Sequence, residues 1–368
     1  MKNKTLPIML VLTILAGLIA GQVLADSALR FHKYSCQDRS GLQTEAFSLL
    51  IPAQWSFDGG IAWNTANPVS PAMVAFKVTS PDKRQALEFF PNRKFYWTDD
   101  ASVQAMFPPG SEYIGSEVCP PMSAEDYVRN IIIPRYRPGI AGLAEIESGP
   151  LPDFARDLSE EIRTQQGLET FTDGARVAVT YSENGRSVEE EFYVIILGWA
   201  FSTPTMYGAV SHYQWSAEYQ FSFKTEKGRM TRSARIFQTM INSFRINPDW
   251  FNRYVQLVDY LAQNQVQQIQ NIGQISNMIS RTSNDISDMM MDSYNRRQAV
   301  YDRMGDRFSQ STRGVDSYYD PTESRAVELP TGYDNAWSNG LGEYIVSDQA
   351  DFDPNRDSGV NWQRLERR

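Results

Sequence analysis

The chain has 368 residues, a net charge of −9, two His and two Cys. An acidic chain repels phosphate backbones and anionic lipid, which excludes a general nucleic-acid surface and argues against broad electrostatic membrane docking. Its length allows more than one folding unit.

The first residues read as a targeting segment. Lys2 and Lys4 form a positive head, an apolar run extends from Leu6 to Ala20, and Val23-Leu24-Ala25 is a small-x-small cleavage pattern before Asp26. Residues 1–25 are therefore expected to be a signal peptide, and the protein to be exported, periplasmic or extracellular. The alternative is an uncleaved N-terminal membrane anchor, because the apolar run nearly reaches spanning length. No Cys follows the run, so a lipid anchor is not expected. In an oxidising compartment Cys36 and Cys119 are most simply one disulfide closing a long loop. The other reading is two unrelated buried thiols.

Composition divides the remainder into an α+β domain over 26–248, a long helical segment over 249–310 and a Tyr/Asp-rich tail over 311–368. In the first region, Phe47 to Ile51 reads as a strand leading to Pro52 and Trp55. Met73 to Thr79 and Ala86 to Phe90 flank the turn signal Ser80-Pro81-Asp82 and form a predicted hairpin. Ser123-Ala124-Glu125-Asp126 resembles a capping box opening a helix that Pro134 ends. Phe154, Leu158 and Ile162 mark an amphipathic helix. Val177 to Tyr181 and Val188 to Leu197 flank Asn184-Gly185, a tight-turn pair. From Val210 to Lys224 the alternation is strict, with Tyr213, Trp215, Ala217, Tyr219, Phe221 and Phe223 on one predicted face. Ile236, Phe237, Met240, Ile241 and Phe244 form the stripe of a last helix. The expected fold class is α+β, an antiparallel sheet flanked by helices, followed by a long amphipathic helix and a small C-terminal β unit.

The segment from Phe47 to Trp55, the hairpin through Phe76 and Phe89, and the helix ending at Ile241-Asn242-Ser243-Phe244-Arg245 together resemble the Mog1/PsbP-like group. The resemblance covers at most the N-terminal ~200 residues. It implies an antiparallel sheet between helices, used for binding and assembly, and it carries over no catalytic residue. The stretch from Met106 to Gly149 departs from that compact pattern.

In the middle segment Val255, Val258, Ala262, Val266, Ile269 and Ile272 open an apolar seam that continues through Tyr294 and Tyr301 to Phe308. Its three- and four-residue steps are those of a coiled coil. Such a seam pairs with another chain, making a homo-oligomer through 250–308, or packs within its own chain. In the tail, Tyr318, Tyr319, Tyr333, Trp337 and Tyr344 suit either a sugar-stacking or protein-binding surface, or the core of a small β unit.

Chemistry-bearing motifs are sparse. Nucleotide-loop, serine-hydrolase and zinc-protease signatures do not occur. His212 falls on the polar face of its strand, and Glu189-Glu190-Glu191 reads as a solvated charge run. Asp351, Asp353, Asn355 and Asp357 alternate as oxygen ligands of Ca²⁺ do, but Arg356 and Trp362 replace the glycine and bidentate acid of a calcium loop. A plain Asp/Asn/Pro turn is the competing reading, and no cofactor is otherwise implied. The expected function is a non-enzymatic exported binding or assembly protein, its partner a protein or cell-envelope component. The alternative is an exported hydrolase acting on glycans through carboxylates.

Overall fold

The computed structural model describes residues 28–64, 67, 70–151, 169–206, 208–264, 291, 294–303, 314–356 and 358–368. The expected signal peptide and the helix expected through Phe154, Leu158 and Ile162 lie outside them. In chain order the elements are β1 (Ala28–Gln37), β2 (Glu45–Pro52), β3 (Ser56–Trp63), β4 (Ala72–Thr79), β5 (Ala86–Phe89), β6 (Arg93–Thr98), α1 (Ala101–Met106), β7 (Glu112–Tyr113), β8 (Ser116–Val118) and α2 (Ala124–Tyr127). A π-helical turn (Val128–Ile132) leads to α3 (Ile133–Tyr136), β9 (Ala141–Pro150), β10 (Glu169–Glu183), β11 (Arg186–Thr205), β12 (Gly208–Glu226), α4 (Met230–Asn242), β13 (Arg245–Ile246) and α5 (Pro248–Asn264). The tail adds β14 (Val315–Asp320), β15 (Arg325–Pro330), β16 (Asn335–Ser338), β17 (Glu343–Ser347), β18 (Gln363–Arg364) and β19 (Glu366–Arg367).

The expected α+β class is overturned. Strand makes up 51% and helix 20% of the described residues. The strands form sheets of six, ten and three. Among the described residues the longest helix, α5, has 17 residues, so the expected long amphipathic helix is not seen there. None of the described helices is long and apolar enough to cross a membrane.

The predicted hairpins form, and their strands run further than the apolar patterns suggested. Glu183 pairs with Arg186 around a two-residue turn. Asn184 and Gly185 both take positive φ there, at 52° and 76°, the conformation that makes this dipeptide a tight hairpin turn. β11 and β12 continue to the far turn where Thr205 pairs with Gly208. The N-cap half of the predicted capping box forms, with Asp126 N donating to Ser123 Oγ at 3.1 Å, while the Asp126 carboxylate turns to Arg129. Pro134 does not stop that helix. The π turn absorbs the proline's missing N–H, and helical backbone continues to Tyr136.

The ten-stranded sheet is buried on both faces. On β11, Tyr193 and Ile195 join one core cluster with Phe76, Phe89, Phe221 and Phe244. Phe192, Val194 and Ile196, on the opposite side of the pleat, join a second with Phe95, Tyr127 and Trp215. This explains the unbroken run Phe192-Tyr193-Val194-Ile195-Ile196-Leu197, since a strand covered on both sides has no wet face. The first cluster is a ladder of rings, with Phe76 and Phe89 centroids 4.4 Å apart and Phe89 and Phe244 5.3 Å apart.

The tail is not a separate β unit. β17 pairs with β1, and the six-stranded sheet runs β13-β2-β1-β17-β16-β18. Only β14, β15 and β19 form a sheet of their own. α4 is the wedge between the parts, because Phe237, Met240 and Ile241 enter the first cluster while Ile236 packs against the tail's core.

Of the described seam residues, Val255, Tyr294 and Tyr301 pack against the first cluster within the chain; Phe251, Leu257, Leu261 and Val300, buried in that cluster, lie off the predicted seam. The seam from Val266 to Met290 and from Met304 to Phe308 lies outside the described residues.

The expected disulfide is not formed. Cys36 and Cys119 are both free thiols. Cys36 belongs to the first cluster and Cys119 packs against the second. These clusters lie on opposite faces of one sheet, and a disulfide needs Cα atoms within about 7 Å. Burial first, then neighbouring acids, pushes Cys36 up to about 11. Burial also leads at Cys119, likewise pushed up to about 11.

Candidate functional site

The candidate site grows from an irregularity in β12. Its pairing with β11 shifts register between Tyr193 and Ile195, and Tyr219 takes φ of 52°. A buried aromatic in the left-handed region is a true backbone outlier, costing about 1–3 kcal/mol. The resulting bulge reverses the strand's facing. Before it, Trp215 and Ala217 point into the second cluster. After it, Tyr219, Phe221 and Phe223 point into the first. The single aromatic face predicted for Val210 to Lys224 is therefore split between two cores. Ser216 and Glu218 consequently face the first cluster's side, where the core is not filled.

There a cavity of about 250 Å³ opens. Its apolar wall includes Phe47, Phe89, Phe244, Trp250, Phe251 and Tyr301. Trp250 and Tyr254 on α5 lie parallel, with ring centroids 5.3 Å apart and planes at 4°. The buried carboxylate of Asp38 sets this wall. It accepts hydrogen bonds from Trp250 Nε1 at 2.8 Å, Trp63 Nε1 at 2.9 Å, and the Gly41 and Leu42 amides. One acceptor therefore fixes the orientation of two indoles.

Three charged side chains enter the same space: Lys94 from β6, Glu218 from the bulge and Arg297 from the helical residues 294–303. Arg297 Nη1 lies 3.2 Å from Glu218 Oε2. Lys94 is exposed by surface area and lines the cavity, with protein packed around its stem. That crowding lowers its pKa, Arg297 lowers it further, and Glu218 partly opposes both. Burial raises the pKa of Tyr254 and Tyr301, so both phenols are neutral hydrogen-bond donors at physiological pH.

A second hollow of about 240 Å³ adjoins the first and shares Ser70, Met73, Asn92 and Lys94 with it. Its character is different: Asn64, Asn67, Ser111, Arg93, Glu112 and Glu117 line it, with glycine corners at Gly110 and Gly115. Asn67 braces one corner, donating to Gly115 O at 2.7 Å and accepting from Ser70 N at 3.1 Å. Small-molecule sites commonly measure about 300–1,000 Å³. Each hollow alone falls short of that range; the four shared lining residues set them side by side as a two-chambered candidate site, one chamber mostly apolar and the other mostly polar.

The residues singled out from the sequence lie elsewhere. Tyr318, Tyr333 and Tyr344 are buried in the tail's core with Phe31 and Val346. Trp337 is buried with Ile345 and Trp362, and Tyr319 is half-buried beneath Arg368. Of the two readings offered, these rings follow core packing, because β17 inserts beside β1 and closes over them.

Asp353 accepts from Asn355 N and Nδ2, both at 3.0 Å. Asn355 in turn binds the backbone of Trp362 through Oδ1 and Nδ2. That is turn chemistry; Asp351 is exposed and Asp357 lies outside the described residues. Among the described residues no group of three or more His, Cys, Asp or Glu is placed to hold a metal ion.

His212 Nδ1 is 2.9 Å from Tyr96 Oη, and its ring stacks on Phe201. Glu190 and Glu191 are not solvated. Glu190 is fully buried, taking Arg137 Nε at 2.9 Å, Ser222 Oγ at 2.6 Å and Tyr181 Oη at 2.5 Å. Glu191 is held by Arg176 and Tyr193. Burial alone would raise Glu190's pKa, but Arg137, Ser222 and Tyr181 outweigh it and hold the carboxyl below its ordinary value.

Sequence reasoning missed Lys94, Glu218, Arg297 and the asparagines. Lys94 and Glu218 each sit at a polar position of an aromatic strand, which usually faces water. No glycine or proline at 219 announces the bulge that turns Glu218 inward.

No protein-family model matches the chain, and no curated protein is similar to it.

Proposed function

We propose that the chain is an exported, non-enzymatic binding protein whose ligand is a small amphiphile held in this two-chambered site. One observation carries the reading: an aromatic chamber inside a core otherwise packed ring on ring, flanked by a polar chamber with which it shares Ser70, Met73, Asn92 and Lys94. Burying an apolar ligand surface there contributes roughly 25 cal/mol per Å² before the cost of immobilising it. The strained Tyr219 supports the same reading, because an unfavourable backbone is retained where it aims side chains into a site. The carboxylate that enters the chamber, Glu218, is held by Arg297, which suits orienting a ligand better than moving a proton. Export rests on the positive head and apolar run before Asp26.

The test is titration of the purified chain with Nile red, an uncharged apolar dye, against a Val74→Trp variant that fills the inner chamber. Saturable binding is expected, weakened about tenfold or more in the variant, with the circular dichroism spectrum unchanged. Dye binding that does not saturate, or that Val74→Trp leaves intact, overturns the proposal.

A further inference from the structure

Resting on that reading, we infer that the outer chamber is a head-group site for an uncharged, hydroxyl-rich group such as a sugar or polyol. Among the described residues lining the two chambers, Arg93, Lys94 and Arg297 are positive, and Glu112, Glu117 and Glu218 are negative. Arg93 pairs with Glu117, and Arg297 with Glu218. Lys94 lies within the field of both Glu218 and Arg297. A ligand bearing a full charge finds no net opposite charge here, and it loses its own hydration on entering. The cost of that desolvation then goes uncompensated.

A neutral polar head meets a different surface. Asn64, Asn92 and Ser111 bring side-chain donors and acceptors to the outer chamber. An amide both donates and accepts, as a hydroxyl does, so the two exchange hydrogen bonds without leaving either unmatched. Gly110 and Gly115 line this chamber with φ of 86° and 75°, and a Cβ at Gly115 would strike the Asn67 amide. Asn92 and Lys94 line both chambers and mark the junction where head meets tail. The ligand's apolar body then lies against the aromatic wall and its hydroxyls against the asparagines.

The experiment compares four octyl compounds on the unmodified chain by calorimetry, each below its micelle concentration: octyl glucoside, octanoate, octyltrimethylammonium and 1-octanol. The glucoside is expected to bind about tenfold more tightly than either ion. In an Asn64→Ala/Asn92→Ala variant its affinity should fall about tenfold while that of 1-octanol is unchanged. An ion binding as tightly as the glucoside overturns the head-group assignment and leaves the apolar chamber standing. A glucoside affinity indifferent to the double substitution does the same. Failure of all four compounds, 1-octanol included, overturns the assignment and the binding function together. The comparison among head groups needs no variant, so it stands even if the double substitution impairs folding.

Discussion

The two faces of the ten-stranded sheet are finished in opposite ways. On one, Phe192, Val194 and Ile196 are fully buried, and the buried charge of Glu190 is matched by Arg137. On the other, the same strands carry a ladder of stacked rings that stops short, leaving a cavity beside a strained tyrosine. A buried pair that is fully hydrogen-bonded holds one arrangement, while a void sacrifices contacts its lining would otherwise make. The first face therefore serves the fold. The second gives up stability to the void.

Breaking the packed face should cost most. Arg137→Met leaves Glu190 buried without its cation, and the expected destabilisation is about 3–5 kcal/mol by urea unfolding. The same pair predicts acid sensitivity. Glu190 is held below its ordinary value of 4.5 in the folded chain. Its ionisation therefore stabilises the fold fully above about pH 4.5 and ceases to do so as pH falls through the lower folded value. A Glu190→Gln variant should show a flatter loss of stability over that acid range. An unchanged slope would remove Glu190 from the account.

A gentler comparison uses matched truncations. Ile196→Ala on the packed face is expected to cost about 2–5 kcal/mol, because neighbours cannot close the gap. Val74→Ala beside the existing cavity enlarges a space already open, and its expected cost is below about 1.5 kcal/mol. Equal losses would mean that the two faces are equally well packed. The smallest effect concerns the thiols. Both cysteines should titrate with thiol reagent after unfolding without reductant, and Cys119→Ser should change stability by no more than about 0.5 kcal/mol. A bridged protein would release no thiol and lose far more on substitution.

Legibility followed the range of the interactions involved. The Asn184-Gly185 turn, the Ser123 cap and the pairing of Phe76 with Phe89 were readable, because each depends on a few neighbouring residues. The aromatic tail was readable as apolar but not as interior. Tyr318 and Tyr344 become core only when β17 pairs with β1, more than 300 positions away. Glu190 and Glu191 looked solvated because their neighbours are charged. Their burial depends on Arg137 and Arg176, which other elements supply. The candidate site was least visible of all. Lys94, Glu218 and Arg297 come from three separate segments, and a bulge at an ordinary tyrosine aims one of them inward.

By itself the sequence determined local geometry: which stretches alternate, where the chain turns, where a helix is capped, and that a positive head and an apolar run precede Asp26. The tertiary structure decided which faces are wet, that the thiols stay apart, and that a cavity exists. The reason is physical. Turns and caps are set by dihedral angles and hydrogen bonds within a few residues, whereas burial, pairing and voids depend on what distant strands bring alongside.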